Sequence, residues 1–205
     1  MEEQPNSLKS FWDESVRPLF PEKALEFRVE TPFFNGRYVN LDNAATTSAF
    51  ALVEGTVRSA LVSYGSVHRG SGQKSMRTTD LYEEARETIR MFVGASPENY
   101  VLFTKNTTEA INCAASLWGT IPGKVLVSDI EHSSNLLPWL RHNKIIQYKT
   151  NGHGVVDFWD VERVFQEHAD IKLLAITGSS NVTGYKPPLP MLAELAHEHG
   201  AKIFV

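Results

Sequence analysis

The sequence predicts an α/β fold, a mostly parallel sheet with helices on both faces, and three observations predict it. From Val101 onward, short apolar runs alternate with helix-patterned stretches: Val101-Leu-Phe103, Lys124-Val-Leu-Val-Ser128, Ile145-Ile-Gln-Tyr148, Lys172-Leu-Leu-Ala-Ile-Thr177 and Lys202-Ile-Phe-Val205. Runs that are apolar throughout, rather than at every second position, belong to strands covered on both sides. Strand–helix alternation is the pattern of a parallel sheet. The polar segments Asn106–Thr108, Ser128–Ser134 and Gly178–Asn181 each follow a strand directly. In a parallel sheet those segments share the carboxyl edge, where ligands collect.

Composition agrees with such a fold and excludes several classes of function. The chain has 205 residues, 42% hydrophobic and 21% charged, with a net charge of −4. No global positive field favours nucleic acid or an anionic membrane. No apolar run approaches the ~20 residues of a membrane span. Cys113 is the only cysteine, which excludes an intrachain disulfide and a cysteine-based metal cluster. The acidic start Met1-Glu-Glu-Gln-Pro5 does not resemble a signal peptide, so a cytoplasmic protein is expected.

Residues 1–37 read as an N-terminal arm with a short helix over Ser7–Val16, and residues 38–205 as the α/β domain. Tyr38–Leu41 reads as a short strand and Asp42–Thr47 as a loop of small residues. Ser48–Ser63 reads as a helix capped by Thr47 or Ser48 and ended by Gly65. The loop Gly65–Gly72 carries His68 and Arg69. A long helix follows over Ser75–Val93, with Leu81, Ala85, Ile89, Phe92 and Val93 on one face and Gly94 as its stop.

Val101–Phe103 reads as a strand, turning at Asn106-Thr-Thr108 into a helix. Asn106 with Glu109 three residues on has the spacing of a capping box. A helix start offers unpaired N–H groups and the positive end of the macrodipole, and two threonine hydroxyls beside them suit a phosphate. Cys113 sits among Ile111, Ala114 and Ala115 and reads as core. Asn135–His142 is expected to be helical with Pro138 in its first turn. Asn151–Gly154 is a turn, Asp157 caps a helix to about His168, and a helix starting after Lys186-Pro-Pro-Leu-Pro190 runs to His199 before Gly200. His197 and His199 are two apart on that helix and face different ways, so they read as solvated residues rather than metal ligands. Ser179-Ser180 lacks the spacing of a nucleophile elbow.

Leu41-Asp-Asn-Ala-Ala-Thr-Thr47, Val67-His-Arg-Gly70, Thr107-Thr-Glu-Ala-Ile-Asn112, Glu131-His132 with Asn135 and Pro138-Trp139, and Leu174-Ala-Ile-Thr177 with Ser180-Asn-Val-Thr-Gly184 occur in that order. Together they resemble the class V aminotransferase-fold enzymes, above all the cysteine desulfurases and selenocysteine lyases. The resemblance runs from about residue 38 to the end of the chain. It implies the large domain of a fold-type I enzyme dependent on pyridoxal 5′-phosphate (PLP), normally a homodimer. It implies cofactor contacts from Thr107 and Thr108 at the phosphate, His132 stacked on the pyridine ring, and Asn181 near the phenolic oxygen and the substrate carboxylate. It implies substrate-side residues Ala44, Ala45, His68, Arg69 and Asn181.

The family's Schiff-base lysine, its aspartate at the pyridine nitrogen and its catalytic cysteine find no counterpart in these residues. The chain therefore reads as the N-terminal portion of such an enzyme, truncated before that lysine. The implied activity is removal of sulfur from L-cysteine, giving L-alanine and an enzyme persulfide, with a sulfur-acceptor protein as a possible partner. The alternatives are another class V aminotransferase, lyase or epimerase acting on a small amino acid, and a non-catalytic truncated α/β domain. Asn106 stands where many relatives have glycine, and Ser133 where close relatives often have a second histidine.

Overall fold

The structure is a computed structural model that describes residues 11–205. It divides between Leu102 and Phe103 into two units. In the first unit, Trp12–Val16 forms a wide helical turn, followed by a 3-10 turn over Arg17–Leu19. The remainder of the expected helix over residues 7–16 lies outside the described residues. A single turn, α1 (Glu22–Leu25), leads into a hairpin of β1 (Arg28–Thr31) and β2 (Phe34–Arg37), paired antiparallel. Thr31 Oγ1 accepts from the N–H groups of Phe33 and Phe34 and so closes the turn.

The expected strand at Tyr38–Leu41 does not form, because the ladder closes at Arg28–Arg37, just before it. The loop Asp42–Thr47 forms as expected. The next helix, α2, spans Ala51–Val62. Its N-cap is Phe50, which has no side-chain cap, so neither Thr47 nor Ser48 caps it. Thr47 Oγ1 donates to Asn43 O inside the loop instead. Gly65 lies beyond the end of α2, and its N–H donates to Thr78 Oγ1 at 2.9 Å. The long helix α3 covers Gln73–Phe92. Gly94, at φ +67°, ends it with paired bonds from Gly94 N–H to Met91 O and from Ala95 N–H to Arg90 O. That geometry favours glycine, which has no Cβ to clash. Leu81, Ile89, Phe92 and Val93 on the apolar face of α3 are all exposed.

The second unit is the parallel α/β layer that the sequence predicts. Its strands are β3 (Lys124–Ser128), β4 (Lys144–Tyr148), β5 (Ile171–Ala175) and β6 (Lys202–Phe204), ordered β4-β3-β5-β6 and all parallel. Its helices are α4 (Thr107–Trp118), α5 (Ser133–His142), α6 (Phe158–Glu167) and α7 (Leu189–Glu198). Residues alternate across the sheet, as a two-residue period requires. Val125, Val127, Leu173 and Ala175 pack with Ile111 and Ala115 of α4 and Trp139 of α5. Leu126 and Leu174 point the other way, onto Val161 and Phe165 of α6 and Leu192, Leu195 and Ala196 of α7. Helices therefore cover both faces.

Four further expectations change in detail. Val101–Phe103 joins neither sheet. Its apolar residues supply strand propensity, but a strand also needs a ladder partner. Cys113 is exposed rather than core. The buried stripe of α4 runs through Ile111 and Ala115, and a residue two positions from each points away from it. Pro138 lies in the second turn of α5, since that helix begins at Ser133 rather than Asn135. His199 is not simply solvated: its ring stacks on Phe165 with centroids 5.2 Å apart.

Candidate cofactor site

Two helix starts meet at the carboxyl edge of the second unit's sheet. Asn106 caps α4 from extended backbone, its side chain accepting from Glu109 N–H at 2.9 Å. Glu109 reaches back to Lys105 N–H at 2.7 Å. This is a capping box displaced by one residue, since the return bond goes to the residue before the cap. The first intrahelical bond runs from Ala110 N–H to Asn106 O, so the N–H groups of Thr107 and Thr108 have no partner within the helix.

His132 caps α5, and its Nδ1 accepts from Ser134 N–H at 3.1 Å. In the neutral ring this puts the proton on Nε2. The ring is exposed. The hydroxyls of Thr108 and Ser134 lie 2.8 Å apart and tie the two first turns together. The positive ends of both macrodipoles thus share one place, with hydroxyls between them and an imidazole beside them.

Asn181 sits in the loop that leaves the same edge after β5, and it is exposed. That loop is closed by bonds from Ser180 N–H to Tyr185 O and from Gly184 N–H to Ser180 O. Ser180 is buried, and its hydroxyl accepts from the N–H groups of Val182 and Thr183. It organises the turn beneath Asn181, in keeping with the absence of a nucleophile elbow.

Sequence reasoning assigned no role to Glu131, although it stands in a quoted motif. Its carboxylate accepts from Thr177 N–H at 2.9 Å, from Asn135 Nδ2 at 2.7 Å and from the Ser128 hydroxyl. Asn135 Oδ1 in turn accepts from Trp139 Nε1 at 3.0 Å, and Trp139 is buried with its ring edge-on to Phe204. The end of β3, the first turn of α5 and the segment after β5 are therefore joined through one side chain. The available signal was an acidic residue just after a core strand, within i+4 reach of an asparagine.

The other expected residues belong to the first unit. Ala44 and Ala45 are exposed in the Asp42–Thr47 loop, which is held by bonds from Thr46 N–H to Asp42 O and from Ala45 N–H to Asp42 Oδ1. His68 has φ +54°, alone among the described non-glycine residues in its left-handed backbone. Its N–H donates to Thr79 Oγ1 at 3.0 Å, and its Nε2 lies 2.7 Å from Glu83 Oε1. Its ring meets Tyr82 edge-on, so the imidazole is tied to α3. Arg69, next to it, is exposed. Among the described residues no group of histidine, cysteine, aspartate and glutamate could hold a metal ion.

Comparison with known proteins gives the class. The family model for Aminotransferase class-V matches residues 39–205, and the chain belongs to that family, whose cysteine desulfurases depend on PLP. It is 35% identical over 177 residues to a probable cysteine desulfurase of Halalkalibacterium halodurans, covering 82% of this chain and 43% of that one. It is 31% identical over 182 residues to a cysteine desulfurase of Synechococcus elongatus, covering 83% and 29%. Among solved structures, the apo cysteine desulfurase of Thermococcus onnurineus NA1 matches with a TM-score of 0.68 and 33% identity, covering 79% of this chain and 42% of that one. A cysteine desulfurase of Escherichia coli, in its S-sulfonic acid form, matches with a TM-score of 0.65 and 32% identity, covering 80% and 43%. The chain spans less than half the length of these relatives. Its fold is that of part of the PLP-dependent fold-type I domain.

PLP fits the donors present. A phosphate dianion suits the start of α4, where the N–H groups of Thr107 and Thr108 have no helix partner, with the positive end of α5 beside it. The threonine and serine hydroxyls add donors, and an exposed imidazole supplies a flat face for an aromatic ring.

Proposed function

We propose that residues 38–205 form the phosphate-binding and ring-stacking part of the PLP site of a cysteine desulfurase. The observation that carries this reading is the 2.8 Å contact between Thr108 Oγ1 and Ser134 Oγ, which joins two helix starts beside His132. In this reading Thr107 and Thr108, with the first-turn N–H groups of α4, hold the phosphate. His132 lies against the ring, and Asn181 donates an amide hydrogen bond to the phenolic oxygen or the substrate carboxylate. Ala44, Ala45, His68 and Arg69 keep the substrate-side role that the family resemblance implies. The cofactor supplies an electron sink for carbanion chemistry, while the protein orients it and controls protons.

In this reading the lysine that carries the cofactor and the cysteine that takes the sulfur lie outside these residues. The substrate is L-cysteine, the products are L-alanine and a persulfide, and a sulfur-acceptor protein takes the sulfur onward. The working form is a cytoplasmic homodimer. No described helix is long and apolar enough to cross a membrane.

The 205-residue chain is expected to bind PLP reversibly, in competition with inorganic phosphate. It is expected to show no adduct after borohydride reduction and no release of alanine from cysteine. Absence of binding at millimolar PLP sinks the site assignment. A covalent adduct on a lysine of this chain overturns the claim that the family's lysine lies elsewhere.

A further inference from the structure

We propose that Glu131 is a positioning residue: a carboxylate clasp that holds His132 and the Asn181 loop in one frame. Its importance for cofactor binding rests on the PLP reading above. The clasp itself rests on geometry alone.

Three donors from three elements converge on this one side chain. Ser128 is the last residue of β3, and Asn135 lies in the first turn of α5. Thr177, which donates through its backbone N–H, is 46 residues away and just past β5. A carboxylate is the side chain that can accept all three, because an ionised carboxylate has acceptor sites only. Bonds to an ionised acceptor are also stronger than neutral ones. His132 follows Glu131 directly, and its ring is fixed at the other end by the bond from Ser134 N–H to Nδ1. With Glu131 clamped on one side and α5 started on the other, the backbone of His132 has little freedom left. The Thr177 bond carries the same constraint to the start of the segment that bears Asn181. Through Asn135 and Trp139 the clasp is anchored in the core. A structural acid could sit anywhere on this edge. This one lies between the two segments whose side chains the cofactor reading needs.

Glu131→Gln keeps the volume but replaces one acceptor with a donor, which then faces the Asn135 amide. Three quantities test the clasp in the 205-residue chain: amide exchange at Thr177, the imidazole nitrogen resonances of His132, and the affinity for PLP from titration. In Glu131→Gln, Thr177 exchange is expected to rise about tenfold, because its bond passes from a charged acceptor to a neutral amide oxygen. The Nδ1-acceptor signature of His132 should average away, and PLP affinity should fall about tenfold. Val161→Ala, in the core of the opposite sheet face, controls for a general loss of stability. It should leave the His132 signature and the relative PLP affinity as they are. Glu131→Asp, which keeps the acceptors on a shorter arm, should recover part of the loss.

The clasp is overturned if Glu131→Gln leaves the Thr177 and His132 signals at wild-type values, or if Val161→Ala moves them equally. Wild-type-like PLP affinity in Glu131→Gln overturns its role at the cofactor and leaves the PLP reading intact. Failure of the wild-type chain to bind PLP, with the two signals still responding to Glu131→Gln, overturns the PLP reading and leaves the clasp standing.

Discussion

The longest described helix lies in the unit whose described residues form no buried core. Helix α3 runs for 20 residues, yet no residue of it is buried, and no described residue before Phe103 is. Helix α6 has 10 residues and buries Val161 and Phe165 against the sheet. Local terms hold α3: the ion pairs Arg86–Glu83 and Arg90–Glu87, the His68–Glu83 contact and the Gly94 stop. Such pairs contribute only about 0.2–0.5 kcal/mol each. Helix length therefore reports local preference, while stability against unfolding comes from burial, which here belongs to the second unit.

The largest test of that difference is a matched pair of truncations. Phe165→Ala should cost the second unit about 3–5 kcal/mol. Ile89→Ala, on the exposed face of α3, should stay within about 0.5 kcal/mol. Urea unfolding followed by tryptophan fluorescence reads both, and equal losses would erase the distinction. Next in size is the cap: Asn106→Ala should cost about 1 kcal/mol and weaken phosphate binding by disordering the first turn of α4. Unchanged phosphate affinity would separate the cap from the cradle.

A smaller effect is expected at alkaline pH. Burial of the Tyr148 ring, above all other causes, raises its phenol above the ordinary tyrosine value. A raised folded-state value means stability that is complete below the unfolded value of about 10 and is lost as pH rises through the raised one. Tyr148→Phe should flatten the fall in the unfolding midpoint above that pH, and an unaltered profile would assign the fall to other groups. Smallest of all, Glu54→Gln removes the exposed Arg58–Glu54 pair of α2 and should change stability by less than about 0.5 kcal/mol, as judged by thermal melting.

Much of the second unit was legible because its strands are apolar without interruption. Val125 to Val127 and Leu173 to Ile176 can only be covered on both sides. Asn106 was legible as a cap because the cap and its partner Glu109 lie within one turn. Val101–Phe103 was misread for a related reason: an apolar run declares a preference, and its ladder partner is not written nearby. The hairpin from Arg28 to Arg37 went unseen because its strands are largely exposed and carry no apolar alternation. Glu131 was passed over because its decisive partner, the Thr177 N–H, is remote in sequence and carries no side-chain signal. Cys113 was misplaced because its small apolar neighbours blur which face of α4 is inward.

That misplaced cysteine has a practical consequence. It is the only thiol in the chain, it is exposed, and it lies on the helix whose first turn is the proposed phosphate cradle. A maleimide dye or spin label placed there needs no other cysteine removed. It would report on α4 from the side facing away from Ile111 and Ala115, so the probe can follow anion binding at the start of the helix without disturbing the core beneath it.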